Sequence, residues 1–162
     1  MLSCTVDIEI AASLDEVWLQ LVNIEFYGLW SPSIVHVELP ASSTTLLSSP
    51  VKFTLNTLSG RQIRKGKISE LSAPHSLDFH FSRAYNWWLE ERWLMRMSVN
   101  EKGNALVEIH LEYLGWMKTS AFHHEHLLTK ALLEAHLIAL KEKLETLAYD
   151  EDGDDEIFDG FN

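Results

Sequence analysis

Alternation with period two opens the chain. Cys4, Val6, Ile8 and Ile10 fall on one side of 3–10, and Ser3, Thr5, Asp7 and Glu9 on the other, the mark of a half-buried strand. The period then changes. Leu14, Val17, Trp18, Leu21 and Val22 recur at helical spacing behind a capping box made by Ser13 and Glu16. A helical turn over 24–30 stops ahead of Ser31-Pro32, because the residue before a proline avoids the helical region. Residues 34–39 read as a strand ended by Pro40, and 41–49 as a polar loop.

From residue 50 the alternation returns at hairpin spacing. Val51, Phe53 and Leu55 share a face, Ser59-Gly60 turns the chain, and 61–71 comes back with a bulge expected at Gly66. Ala73-Pro74-His75 is the next turn. Leu77, Phe79 and Phe81 then oppose Asp78, His80 and Ser82. A long strand over 87–99, a loop containing Lys102-Gly103-Asn104, and a returning strand over 105–116 complete the series. The last periodic stretch, 119–148, has no Pro or Gly and is rich in Ala, Leu, Lys and Glu, so it predicts one long helix. Lys130, Glu134, Lys141 and Glu145 fall within a wedge of roughly 60°. Leu128, Ala131, Leu132, Ala135, Ile138 and Ala139 make one apolar flank, and Phe122, Leu133, Leu140, Leu144 and Leu147 the other. A helix that apolar must be covered on most sides.

One strand, two short helices, about six consecutive strands with short turns and a long helix exclude a doubly wound parallel sheet. They predict an α+β domain in which one bent antiparallel sheet holds the final helix. In VDIEIAASLDEVWLQLVNIEFYGLWSPSIVHVEL, GKISELSAPHSLDF, WWLEERWLMRMSV, LEYLGWM and the last helix, the chain resembles the START-like, or SRPBCC, superfamily. The nearest likeness is to its polyketide cyclase/dehydrase and lipid-transport family. The motifs that carry it are Ala12-Ser13, Glu16-Val17-Trp18 and Phe26-Tyr27-Gly28-Leu29-Trp30. The resemblance implies a helix-grip fold over 1–148, with a seven-stranded sheet around the C-terminal helix and a cavity between them. No catalytic signature belongs to the matching pattern.

Composition narrows the partners. A formal net charge of -11 argues against a nucleic-acid groove or an anionic membrane surface. Much of that excess sits in 149–162, which carries no Lys or Arg and is expected to be disordered. Ile157, Phe158 and Phe161 would let this tail make weak contact with a protein partner or with the domain itself. The tail does not follow the calcium-loop pattern, since Gly153 is misplaced. The single Cys4 cannot form an internal disulfide, which favours a reducing, cytoplasmic setting. No apolar run has the length of a membrane span, and the N-terminus reads as a strand, not a signal peptide.

The inner faces carry the candidate chemistry. On the long strand, Trp87, Leu89, Glu91, Trp93, Met95, Met97 and Val99 share the inward parity, and Val107, Ile109, Leu111 and Tyr113 share it on the next. With Phe53, Leu55, Phe79 and Phe81 they form a wall of aromatics and Met facing Ala131, Ala135 and Ala139 of the helix. Large residues facing small ones either interdigitate as a solid core or enclose an apolar pocket of the kind that holds small molecules. The residues expected to line such a pocket are Trp30, Phe53, Phe79, Phe81, Trp87, Glu91, Trp93, Met95, Tyr113 and Ala135.

Glu91 is either a ligand-anchoring or proton-transferring carboxyl, a residue that a bulge turns to solvent, or the partner of a cation such as Arg64. Tyr113 either presents its hydroxyl to the cavity or is a satisfied core tyrosine. These two are the catalytic candidates. His123 and His126 share a helix face, but two ligands are not a metal site, so helix-start histidines default to solvent and no metal or other cofactor is expected. His136 is expected to be packed or at the helix margin. No nucleophile motif or phosphate loop occurs. Arg61, Arg64, Lys65 and Lys67 read as a solvated sheet edge without the aromatics that would suggest RNA.

The expected function is binding or transport of a hydrophobic small molecule: a lipid, polyketide or aromatic. The alternatives are a cyclase/dehydratase-like enzyme in the same cavity, with Glu91 as acid/base and Tyr113 as donor, and a protein-interaction module without a ligand.

Overall fold

The alternating stretches become the seven strands of one antiparallel sheet. The computed structural model describes residues 2–41, 45–83, 86–115 and 120–151; for 83, 86–88, 120–122 and 149–151 the description covers the backbone alone. The strands are β1 (Leu2–Ile10), β2 (Ile34–Glu38), β3 (Pro50–Thr57), β4 (Gly60–Ser72), β5 (Ser76–Arg83), β6 (Asn86–Val99) and β7 (Ala105–Gly115). Between β1 and β2 lie α1 (Leu14–Val22) and a 3-10 helix, Ile24–Leu29; α2 (Ser120–Glu151) follows β7. The sheet order is β1-β7-β6-β5-β4-β3-β2. Every neighbour but one is therefore a sequential hairpin, and the first strand closes against the last, as the helix-grip expectation requires.

Local chemistry sets the boundaries. Ser13 caps α1 by accepting from Glu16 N at 3.3 Å, and the Glu16 carboxylate accepts from Ser13 N at 2.7 Å. Gly60 and Gly103 carry φ of 106° and 82° in two of the hairpin turns, where a Cβ would be strained. Asn100 holds the β6–β7 loop by accepting from Lys102 N and Asn104 N.

The bulge expected at Gly66 lies elsewhere. Gly66 stays in register between Val51 and Phe81, and the shift falls between Ile68 and Glu70. Gly66 answers a packing demand, since a Cβ there would lie 2.1 Å from His80 O and 2.8 Å from Phe81 Cα. The outward parity of β5 also holds a surprise. Asp78 is buried, because Arg96 of β6 donates from both Nη1 and Nη2 to its carboxylate. Val99 keeps the inner parity of β6 but is half exposed, beyond the end of the core.

α2 lies chiefly along β1, with further contacts to β3, β7 and α1. Lys141 Nζ donates to Glu9 O at 2.8 Å, and Glu145 accepts from Ala11 N at 3.0 Å. The second half of α2 thus covers backbone groups of an edge strand. The helix is turned differently from the sequence expectation. Ala131 and Ile138 are exposed and Ala135 and Ala139 half-buried, whereas Leu128, Thr129, Leu132, Leu133, His136, Leu137, Leu140 and Leu144 are buried. Three polar side chains, His126, Thr129 and His136, share that side, and the last two bond to partners off the helix, as described below. α2 runs three residues past the expected limit of 148. The acidic stretch from residue 152, Thr119 as helix cap and the side chains of Trp87 and Phe122 lie outside the described residues.

Candidate functional site

Alternation along β6 points Glu91 inward between Leu89 and Trp93, opposite Phe81 on β5 and Tyr113 on β7. Glu91 has no exposed surface. Its Oε2 accepts from Arg64 Nε at 2.9 Å and its Oε1 from Trp93 Nε1 at 2.8 Å. Of the readings open for Glu91, the turn to solvent is excluded and the pairing with Arg64 is what forms. Arg64 itself is 5% exposed, so it leaves the solvated basic edge where the sequence placed it; Arg61, Lys65 and Lys67 remain exposed there. Arg64 Nη2 also lies 3.6 Å from Glu125 Oε2 in the first turns of α2. A line of charge therefore runs from the sheet to the helix through apolar surroundings. Such a pair is held against a desolvation cost of several kcal/mol per ion, on the order of its Coulombic gain.

Tyr113 takes part in the same junction. Its hydroxyl shares a hydrogen bond with Thr129 Oγ1 at 2.6 Å. The His126 ring meets the Tyr113 ring edge-on at 5.5 Å. His123 and His124 are exposed as expected, but His126 is buried, because it falls on the inward side of α2 near Thr129. Burial is the main cause that lowers its pKa; His123 and Lys130 push the same way, and Glu91 opposes them. Its Nε2 is buried without a hydrogen-bond partner among the described residues. No group of three metal-ligating side chains occurs among the described residues.

A second polar junction lies ten residues along α2, about 15 Å away at 1.5 Å per residue. His136 is fully buried, and its Nδ1 lies 2.8 Å from Ser31 Oγ. Its ring stacks on Trp30 at 4.7 Å and tilts against Tyr27 at 4.9 Å. Burial alone lowers its pKa to about 3, so the ring is neutral. The Tyr27 hydroxyl donates to Leu21 O, and burial pushes its phenol pKa up. His136 Nε2 and Trp30 Nε1 are buried without hydrogen-bond partners among the described residues. Outside Trp30 lies an open hollow of about 410 Å³, lined also by Ala139, Glu142, Lys143, Thr146 and Leu147. Lys143 Nζ stands 5.9 Å over the Trp30 ring.

Most of the residues named as pocket lining converge, but they do so ring on ring. Phe53, Phe79, Phe81 and Trp93 meet with centroids 4.9–6.3 Å apart, and Tyr27 joins them through Phe53 at 6.2 Å. These four rings, Met95 and Tyr113 keep no surface that water can reach, whether from outside or from an internal void. Trp30 stands at the far end beside His136, and Ala135 is only half-buried beside the contact stripe. Sequence reading missed Ser31, Thr129 and the inward turn of His126. The available signal was positional: 126, 129, 133, 136 and 140 recur on one side of the helix, where His136 is packed as one of its two expectations had it, whereas His126 is buried against the solvated reading.

No protein-family model and no curated protein matches this chain. Solved structures do. A START superfamily protein from Mycobacterium smegmatis superposes with a TM-score of 0.72 at 14% identity, covering 90% of this chain and 98% of that one. The di-domain ARO/CYC StfQ of the steffimycin biosynthetic pathway gives 0.72 at 11% identity, over 91% of this chain and 52% of its own. The Aha1 dimer from Colwellia psychrerythraea gives 0.61 at 20% identity, over 90% and 97%. At these identities the likeness concerns the fold, and it is the START-like helix-grip fold. No helix among the described residues is long and apolar enough to cross a membrane.

Proposed function

We propose that this helix-grip chain binds a hydrophobic small molecule between its sheet and α2, as a carrier or binding module. The observation that carries the reading is the junction of Arg64, Glu91, Tyr113, His126 and Thr129 on an otherwise apolar wall. Buried polar groups cost free energy unless they serve as partners, and this set leaves a donor or acceptor, His126 Nε2, over. A lipid, polyketide or aromatic whose polar end meets that junction would lie with its apolar body along Phe81, Trp93 and Met95. Because those residues are closed on one another, the ligand must part them on entry. The ordered contacts of Glu91 with Arg64 and Trp93 suit orientation better than proton transfer, which ranks the cyclase/dehydratase-like alternative second among ligand-dependent readings.

The ring packing itself favours one rival, a protein-interaction module that needs no ligand. An open groove of about 610 Å³ along the edge strand β2, lined by Phe26, Val37, Leu39 and Leu46 among others, would serve that role. Native mass spectrometry of the full chain as purified, and again after incubation with mixed fatty acids and polycyclic aromatics, separates the two. A one-to-one adduct lost on unfolding supports binding. A bare mass under both conditions overturns it in favour of the interaction module.

A further inference from the structure

The tautomer of His136 follows from hydrogen-bond accounting. Ser31 Oγ accepts from Ser33 N at 3.3 Å and from Ile34 N at 3.2 Å, which occupies both lone pairs. Its one O–H is then left for His136 Nδ1 at 2.8 Å. A neutral ring that accepts at Nδ1 carries its proton at Nε2. His136 Nε2–H and the stacked Trp30 Nε1–H are therefore two neighbouring buried donors without an acceptor among the described residues. Each such donor costs about 1–3 kcal/mol when left unmade. The Tyr27 hydroxyl, which donates to Leu21 O, receives neither of them.

Trp30 also stands between His136 and the solvent. One part of it stacks on the imidazole, and another forms the wall of the open hollow with Ala139, Lys143 and Leu147. A rotation of this one indole would join the hollow, whose volume of about 410 Å³ is in the range of small-ligand sites, to the His136 donor. We infer that His136 and Trp30 form an acceptor-reading site for a flat, uncharged aromatic molecule bearing a carbonyl oxygen, which enters past Trp30 and takes the hydrogen bonds of one or both ring N–H groups. The stacked geometry selects a planar body, and a buried N–H without an acceptor selects an oxygen that can receive it. This goes beyond the proposed function, on which it rests, by giving the chain a second ligand contact at the α2 end remote from Glu91.

The test uses 9-fluorenone and fluorene, which share a shape and differ in the carbonyl. Dissociation constants for the full chain are measured by calorimetry, with the indole and imidazole N–H signals followed by ¹⁵N NMR. The wild type is expected to bind fluorenone at least about tenfold more tightly than fluorene, the value of one buried hydrogen bond. His136→Phe keeps a ring and should lower that ratio, the Trp30 N–H being the one donor of the pair left, while fluorene binding persists. Should that variant fail to fold, Trp30→Phe and the wild-type shifts decide: the Trp30 and His136 N–H signals should move with fluorenone and not with fluorene. Equal binding of the two probes, or a preference that survives His136→Phe with unmoved signals, overturns this inference and leaves hydrophobic binding standing. Binding of neither probe overturns this inference alone if native mass spectrometry still finds another hydrophobic adduct, and both readings if it does not.

Discussion

Replacing His136 with Phe should make the fold less sensitive to acid. In the native state burial lowers the His136 pKa from 6.5 to about 3, whereas the unfolded chain keeps the ordinary value. The unfolded state therefore binds the extra proton first, and stability falls as the pH drops below the unfolded pKa, until the loss is complete near the folded one. Two pH units below 6.5 the loss amounts to about 3 kcal/mol. For a chain of this size that is about 6–12 °C of Tm. Urea unfolding of wild type and variant at about pH 7.5 and about pH 4.5 reads the effect as a difference of differences. Carboxylates and His126 titrate in both proteins and cancel. The variant also loses the Ser31 bond, but that cost is the same at both pH values. An equal loss of stability in the two proteins would refute the reasoning, because His136 would then be protonated in the fold.

Four further substitutions probe the frame of the site. Arg64→Met should cost about 3–5 kcal/mol by removing the guanidinium from buried Glu91, and adding Glu91→Leu should recover most of it; chemical denaturation of both variants checks this. Gly66→Ala should cost about 2 kcal/mol or more, since its Cβ would press on the β5 backbone, and a melting point within a degree of wild type would show that the strands can separate there. Ser13→Ala should cost about 1 kcal/mol by opening the α1 capping box, read by the same denaturation curves.

Much of this was legible in the sequence because strands advertise themselves through period two. The parities read from β3, β5, β6 and β7 are the buried faces observed, and the Ser13–Glu16 box begins α1. Two kinds of error have physical causes. Gly66 looked like a bulge because glycine serves both bulges and close approaches, and only the neighbouring strand distinguishes them. The face of α2 was misjudged because hydrophobicity alone ranked Ala131 and Ile138 above Thr129; His136 is packed, one of the two places expected of it. Hydrogen bonds to Tyr113 and Ser31, on segments distant in sequence, satisfy those polar residues on the buried face. The same reason hid Asp78, whose burial depends on Arg96 across the hairpin. Local pattern carries the fold, whereas the site depends on long-range partners that no local window contains.

Binding as proposed requires the closed wall opposite α2 to open and seat an apolar ligand. The Met95 methyl group reports on it directly, since Met95 is fully buried in that wall. With ¹³C-methyl methionine in the full chain, a total extract of hydrophobic small molecules is added to saturation. Opening of the wall around a ligand gives a shifted Met95 methyl signal with intermolecular nuclear Overhauser contacts to the bound compound. A Met95 signal that stays in place, with no such contact, would contradict it.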